Sequence, residues 1–154
     1  MTRAFDGKRI PATLIPGDGI GPEIVAAVVR VLDVLGGPFA WVTCQAGMAG
    51  VTADGDSLPA GTLDSIRRTG LALKGPLTTP VGRGFRSVNV RLREAFQLFA
   101  NVRPARTIVP GGRYADIDIV LVRENLEGLY VGFEHYIPID GDPHAVAIGS
   151  GVNT

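Results

Sequence analysis

Apolar positions near the start of the chain change their period across a run of turn residues. IPATLI is a short apolar stretch, and Pro16-Gly17-Asp18-Gly19 breaks it. After Gly21-Pro22-Glu23, the residues Ile24, Val25, Val28, Val29, Val31 and Leu32 recur at helical spacing up to Gly36-Gly37. The pattern predicts a strand, a glycine-rich turn and a helix. Pro22 suits a first helical turn, and Glu23 complements the positive end of the helix. FAWVTCQA predicts a second strand, residues 58–69 a helix, and Leu71-Ala72-Leu73 a short strand. Strands alternating with helices predict a parallel α/β sheet.

Further along, Val88, Leu92, Ala95, Phe96 and Phe99 mark one helical face, and residues 100–109 read as extended. Beyond Gly112 the texture changes. IDIVLV, GLYVGFEHYI and HAVAIGSGV are β-rich and glycine-spaced, without helical periodicity between them. The expected organisation is therefore residues 1–107 as part of one α/β domain and residues 108–154 as the start of a β-rich one. An unfinished sheet would leave an exposed edge, which favours self-association.

Apolar residues make up 45% of the 154, enough for a core. No apolar run approaches the roughly 20 residues of a membrane helix. The opening segment carries charges and turn residues where a secretory leader would place an apolar block, so the sequence reads as soluble and cytoplasmic. One cysteine, Cys44, excludes an internal disulfide framework and reads as a small buried hydrophobe in the second strand.

The net charge of zero hides a segregation. Residues 1–73 hold six Lys or Arg against seven acids, residues 74–113 eight against one, and residues 114–154 one against seven. The band is nearly all arginine, whose planar fork grips carboxylate or phosphate with two bonds at once. Its first part, KGPLTTPVGRGFRSVNVRLR, adds three hydroxyls and an amide. Gly75, Pro76, Pro80, Gly82 and Gly84 make it a loop that leads into a helix capped by Ser87. Asn89 and Arg93, four apart, share a face of that helix, so donors gather beside a positive helix end that suits an anion.

Arg103 in ANVRPAR and Arg123 in VLVREN follow apolar extended runs, so partial burial is expected and each then needs an anionic partner. Glu124 or Asp118 could serve, and so could one multiply charged acid shared between them. Tyr130 alternates with apolar neighbours in EGLYVGFEHY and reads on pattern alone as a core or interface tyrosine. His135 and His144 are solitary and read as structural, and Asp116 with Asp118 as a solvated strand entrance. GDGIGPE departs from the dinucleotide fingerprint G-x-G-x-x-G by a proline at position 22, and no acid follows the next strand at the usual offset.

Taken in order, IPGDGIGPE, KGPLTTPVGRGFRSVNVRLR, NVRPAR and VRENLEGLYVGFEH resemble the N-terminal part of the isocitrate/isopropylmalate dehydrogenase family, metal-dependent β-decarboxylating dehydrogenases. Ser87 with Asn89 resembles the isocitrate branch. The resemblance implies a partial isopropylmalate-dehydrogenase-like fold, a mostly parallel sheet with helices on both sides, followed by the β-rich start of a smaller domain. It implies that Ser87 and Asn89 hold one carboxylate of a tricarboxylate and that Arg93, Arg103 and Arg123 hold the others. It implies that Tyr130 helps protonate the enol left after carbon dioxide departs. Lys74, Thr78 and Thr79 match the loop beside the nicotinamide of NAD or NADP, with Thr78 the foremost contact.

The family's Mg2+ or Mn2+ ligands, its adenine-binding segment and the lysine donated across its dimer match no part of this chain. The resemblance thus implies a homo-oligomeric enzyme of the tricarboxylic acid cycle, of which these 154 residues alone would be an inactive fragment. Isopropylmalate, homoisocitrate and tartrate are alternative substrates, and a non-catalytic anion sensor is an alternative role. A nucleic-acid module would also use an arginine band, but few aromatics interleave with these arginines.

Overall fold

In the computed structural model the described residues are 8–78 and 87–153. They divide into two compact units, one up to Arg91 and one from Leu92 onward.

The first unit is built on β1 (Ile10–Ile15), β2 (Phe39–Thr43) and β3 (Ala72–Lys74), with α1 (Gly21–Val34), α2 (Met48–Asp54) and α3 (Ala60–Thr69) between them. All pairing is parallel, in the order β2-β1-β3. The register runs from Ile10 opposite Phe39 to Leu14 opposite Thr43, and from Thr13 opposite Ala72 to Ile15 opposite Lys74. As central strand, β1 holds the core: Ala12, Thr13 and Ile15 are buried. Thr13 is polar yet fully enclosed because its hydroxyl meets Ser65 Oγ at 2.8 Å and Thr69 Oγ1 at 3.0 Å. Those two bonds tie α3 to the sheet and remove the cost of an unsatisfied buried hydroxyl.

α1 has Pro22 in its first turn beside Glu23, and the chain leaves it through Gly36 at φ 72°. Of its apolar stripe only Val25 is buried, and Ile24, Val28, Val31 and Val34 are exposed. The second strand is shorter than its apolar pattern suggests. Cys44 lies just past its end and is half-buried, so the expected buried position is corrected. Its backbone N–H still extends the ladder to Leu14 O at 2.9 Å.

α4 (Val88–Ala95) opens with Ser87 in the N-cap position, its carbonyl accepting from Arg91 N–H at 3.0 Å. Val88 and Leu92, on the helical face marked by the sequence, are buried. The helical face stops short of Phe99, because Gln97 turns to φ 51° and Phe99 is 68% exposed.

The second unit contains two antiparallel ribbons. β4 (Ala100–Arg106) pairs with β5 (Asp118–Glu124), and β6 (Gly128–Ile139) with β7 (Asp142–Val152). Asp140 and Gly141, at φ 48° and 86°, make the tight turn between β6 and β7 that matches the twist of its strands. Consecutive residues Ile119, Val120, Leu121 and Val122 are all exposed, so β5 is bare on both faces. The texture of the sequence changes beyond Gly112, and the expected boundary lay at residues 107–108. Contacts instead group β4 with the β-rich remainder, because its seven residues pair with β5.

Candidate functional site

In the first unit the glycine-rich turn and the start of the cationic loop are packed backbone to backbone. Asp18 N–H donates to Pro76 O at 3.1 Å, and Gly75 N–H to Ile15 O at 2.8 Å. A Cβ on Gly21 would lie 2.6 Å from Pro16 O and 3.0 Å from Pro76 O, so no side chain fits between the two loops. Gly17, at φ 83°, adds the left-handed backbone that glycine adopts without strain.

Asp18 joins these segments. Its Oδ1 accepts from Thr78 N–H at 2.6 Å and its Oδ2 from Met48 N–H at 3.0 Å. Partial burial works against its charge. The hydrogen bonds from Thr78 and Met48 and the charge of Lys74 outweigh that and hold the carboxyl below its ordinary value. Thr78 and Lys74 are both exposed, and Lys74 Nζ donates to Gly75 O at 2.7 Å. The structure thus brings Lys74 and Thr78 together at the turn, while Thr79 lies outside the described residues.

Ser87 and Asn89 stand at the start of α4, and both are half-buried. A contact with no sequence signal anchors that end of the helix. Arg91 grips Asp56 with both arms, Nη1 to Oδ1 at 2.6 Å and Nη2 to Oδ2 at 3.1 Å, and Nη1 also reaches Ser57 Oγ at 3.1 Å. The Arg91 bond, helped by Leu58 N–H, lowers the Asp56 carboxyl to about 2.

In the second unit the arginines converge. Arg123 opposes Asn101 and Arg103 opposes Leu121 across the β4–β5 ladder. Residues opposite each other, and residues two apart, share one face of an antiparallel pair. Arg103, Arg123 and Asn101 therefore lie on a single face, where Arg103 Nε donates to Asn101 Oδ1 at 3.1 Å. Arg123 also donates to Tyr130 Oη and lies 5.6 Å from that ring's centre. Arg93 reaches the same ring at 5.8 Å. Tyr130 is 39% exposed and so is no core residue; two guanidinium groups lie 5.8 and 5.6 Å from its ring centre.

The expected burial of Arg103 and Arg123 does not hold, since both are exposed. Neither acid proposed as an internal partner serves them. Asp118 pairs with Arg106 at 3.5 Å. The Glu124 carboxylate accepts from the N–H groups of Leu126, Glu127 and Asn125 at 2.6–2.9 Å, which lowers its pKa. Among the described residues, Arg93, Arg103 and Arg123 have no ion-pair partner. Two cations at diagonal positions, roughly 7 Å apart, repel by about 0.6 kcal/mol in water and by more where water is excluded. A carboxylate bound beside both would add attractive terms that offset this repulsion.

His135 and His144 lie in the β6–β7 ribbon, where His144 meets the Tyr136 ring edge-on. No group of three or more His, Cys, Asp or Glu that could hold a metal occurs among the described residues.

Residues 12–150 match the family model of isocitrate/isopropylmalate dehydrogenase. The chain is 43% identical over 142 residues to the probable NAD isocitrate dehydrogenase subunit alpha, mitochondrial, of Drosophila melanogaster; the match covers 91% of this chain and 37% of the relative. It is 50% identical over 137 residues to the NADP isocitrate dehydrogenase of Thermus thermophilus, with 84% and 27% covered. The crystal structure of isocitrate dehydrogenase from Methylococcus capsulatus superposes with a TM-score of 0.83 at 52% identity, over 94% of this chain and 42% of that one. The chain thus spans well under half the length of these relatives. A family model matched over most of the chain and relatives of this identity place it plainly: the chain belongs to the isocitrate/isopropylmalate dehydrogenase family.

Proposed function

We propose that this chain is the N-terminal part of an NAD- or NADP-dependent isocitrate dehydrogenase and that it supplies the tricarboxylate-holding side chains. The observation that carries the reading is that Arg93 and Arg123 both lie against the Tyr130 ring while Arg103 shares the ribbon face of Arg123, none of the three having an ion-pair partner among the described residues. Guanidinium groups kept free of internal acids, two of them on one ribbon face, suit a ligand with several negative charges. In this reading Ser87 and Asn89 hold one carboxylate, and the three arginines hold the others and fix the substrate's orientation.

The nicotinamide cofactor, when bound, accepts the hydride from the substrate's alcohol carbon. Lys74 and Thr78 present exposed polar groups on a loop fixed against the glycine-rich turn, which fits a contact with the nicotinamide end. Thr79 is assigned to the same loop by resemblance alone. Tyr130 protonates the carbon left electron-rich when carbon dioxide departs. Arg123 donates to the Tyr130 oxygen, so the phenolic proton remains free to be given elsewhere. The described residues do not fit a divalent-metal site, and no step here passes through one. The family's large domain corresponds to residues 1–107 in this reading and the start of its small domain to residues 108–154, in a homo-oligomeric, cytoplasmic enzyme. Bare strand faces and the single cysteine support the last two assignments.

Calorimetric titration of the chain with isocitrate, citrate and isopropylmalate tests the reading. Tricarboxylates are expected to bind more tightly than the dicarboxylate. Losing one charge-assisted bond in Arg103→Gln or Arg123→Gln should weaken them about tenfold or more. Equal affinity in the unaltered chain and both variants would refute it. Binding of oligonucleotides that falls steeply with salt, without tricarboxylate binding, would point to a nucleic-acid role instead.

A further inference from the structure

The carboxylate of Asp18 makes its contacts far away in the sequence, with the Met48 N–H and with both the N–H and the hydroxyl of Thr78. An aspartate that merely shapes its own turn bonds to an N–H two residues on. Asp18 instead accepts from Met48 and Thr78, 30 and 60 positions away, one on each oxygen. Its own N–H returns to Pro76 O, so the segment 76–78 is held at both ends by one residue. Thr78 Oγ1 lies against Gly19, where a Cβ would come within 3.7 Å. Each of the two short loops is thus placed by the other, and the charged link between them is a single side chain.

We propose that Asp18 is the positioning residue of the cofactor loop, holding the Thr78 N–H and accepting from the Thr78 hydroxyl, and thereby setting where that side chain meets the nicotinamide. The assignment rests on the reading of Thr78 as a cofactor contact. Asp18 itself touches neither substrate nor cofactor in this account. Asn at position 18 keeps one acceptor oxygen but turns an NH2 group toward one of the two N–H donors, so one of the links becomes a repulsive contact. Glu keeps the charge on a longer arm.

The test is amide NMR of the 154-residue chain, unaltered and as Asp18→Asn and Asp18→Glu, with NAD+ as the added probe. The expected result has three parts. One of the Thr78 and Met48 amides, the one facing the new NH2 group, loses exchange protection in Asp18→Asn, while amides of β1 keep theirs. Shifts of the Thr78 and Gly75 amides on adding NAD+ report an affinity about tenfold weaker in Asp18→Asn, the loss of one charge-assisted bond. Asp18→Glu restores part of that affinity. Unchanged NAD+ affinity in Asp18→Asn would overturn the assignment, and so would lost β1 protection, which would make Asp18 a general stability residue. Failure of the unaltered chain to shift with NAD+ would overturn the cofactor reading of the loop, a failure visible before any substitution is made.

Discussion

Cutting the Arg91–Asp56 fork tests how the start of α4 is held. The perturbation is Arg91→Ala, Asp56→Asn and the two combined. A carboxyl lowered from 3.8 to about 2 corresponds to at most about 2.5 kcal/mol at 1.36 kcal/mol per pH unit. The side chains are 32% and 47% exposed, so water and salt screen the pair, and about 1 kcal/mol of coupling is the expected size. Its sign with pH follows from the lowered carboxyl. The stabilisation is fully present above pH 3.8 and is lost as pH falls through about 2. Urea unfolding of the four proteins at pH 7, and again near pH 2.5, measures the coupling as a double-mutant cycle. Isocitrate affinity should drop in Arg91→Ala although Arg91 touches no ligand, because Ser87 and Asn89 ride on the helix end it anchors. Coupling near zero at pH 7, or coupling unchanged at pH 2.5, would refute the reasoning.

Two other outcomes are expected. Gly21→Ala forces a Cβ to within 2.6 Å of Pro16 O in a rigid loop pair and should cost about 2 kcal/mol or more, read from the urea midpoint. Glu124→Gln weakens the acceptor for the Leu126, Glu127 and Asn125 N–H groups. With the carboxyl held below its ordinary 4.5, its stabilising effect is present above that pH and fades as pH falls through the lowered value, so amide protection at Leu126 and Glu127 should become pH-independent there in the variant.

The α/β half of the molecule was legible because its local signals agree. The apolar run of β1, the Pro-Gly-Asp-Gly break and the helical spacing of α1 each point the same way, and the structure follows them. α2 was missed because MAGVTAD is short and carries no strong apolar period. Phe99 was misplaced because helical spacing continues past the point where Gln97 ends the helix. The cationic character of the site was also readable, since eight positive residues against one acid in residues 74–113 need no structure to be seen. Which cations stay unpaired was not readable. Arg91 and Arg93 sit two apart in one band, yet Arg91 is spent on Asp56, 35 positions away, while Arg93 faces Tyr130. The expected burial of Arg103 and Arg123 failed because an apolar strand pattern signals a face to be covered, and both faces of β5 are bare here. Asp18 carried a sequence signal, an acid inside a glycine turn, but the partners that give it a role come from distant segments.

In the proposed site three guanidinium groups answer to one polyanion. Side-chain Nε–Hε NMR of Arg93, Arg103 and Arg123 during an isocitrate titration reads this directly. The prediction is that all three signals move along one binding curve with one Kd, while that of Arg91, engaged by Asp56, stays in place. Three separate curves, or an arginine of the trio that does not respond at saturation, would contradict it.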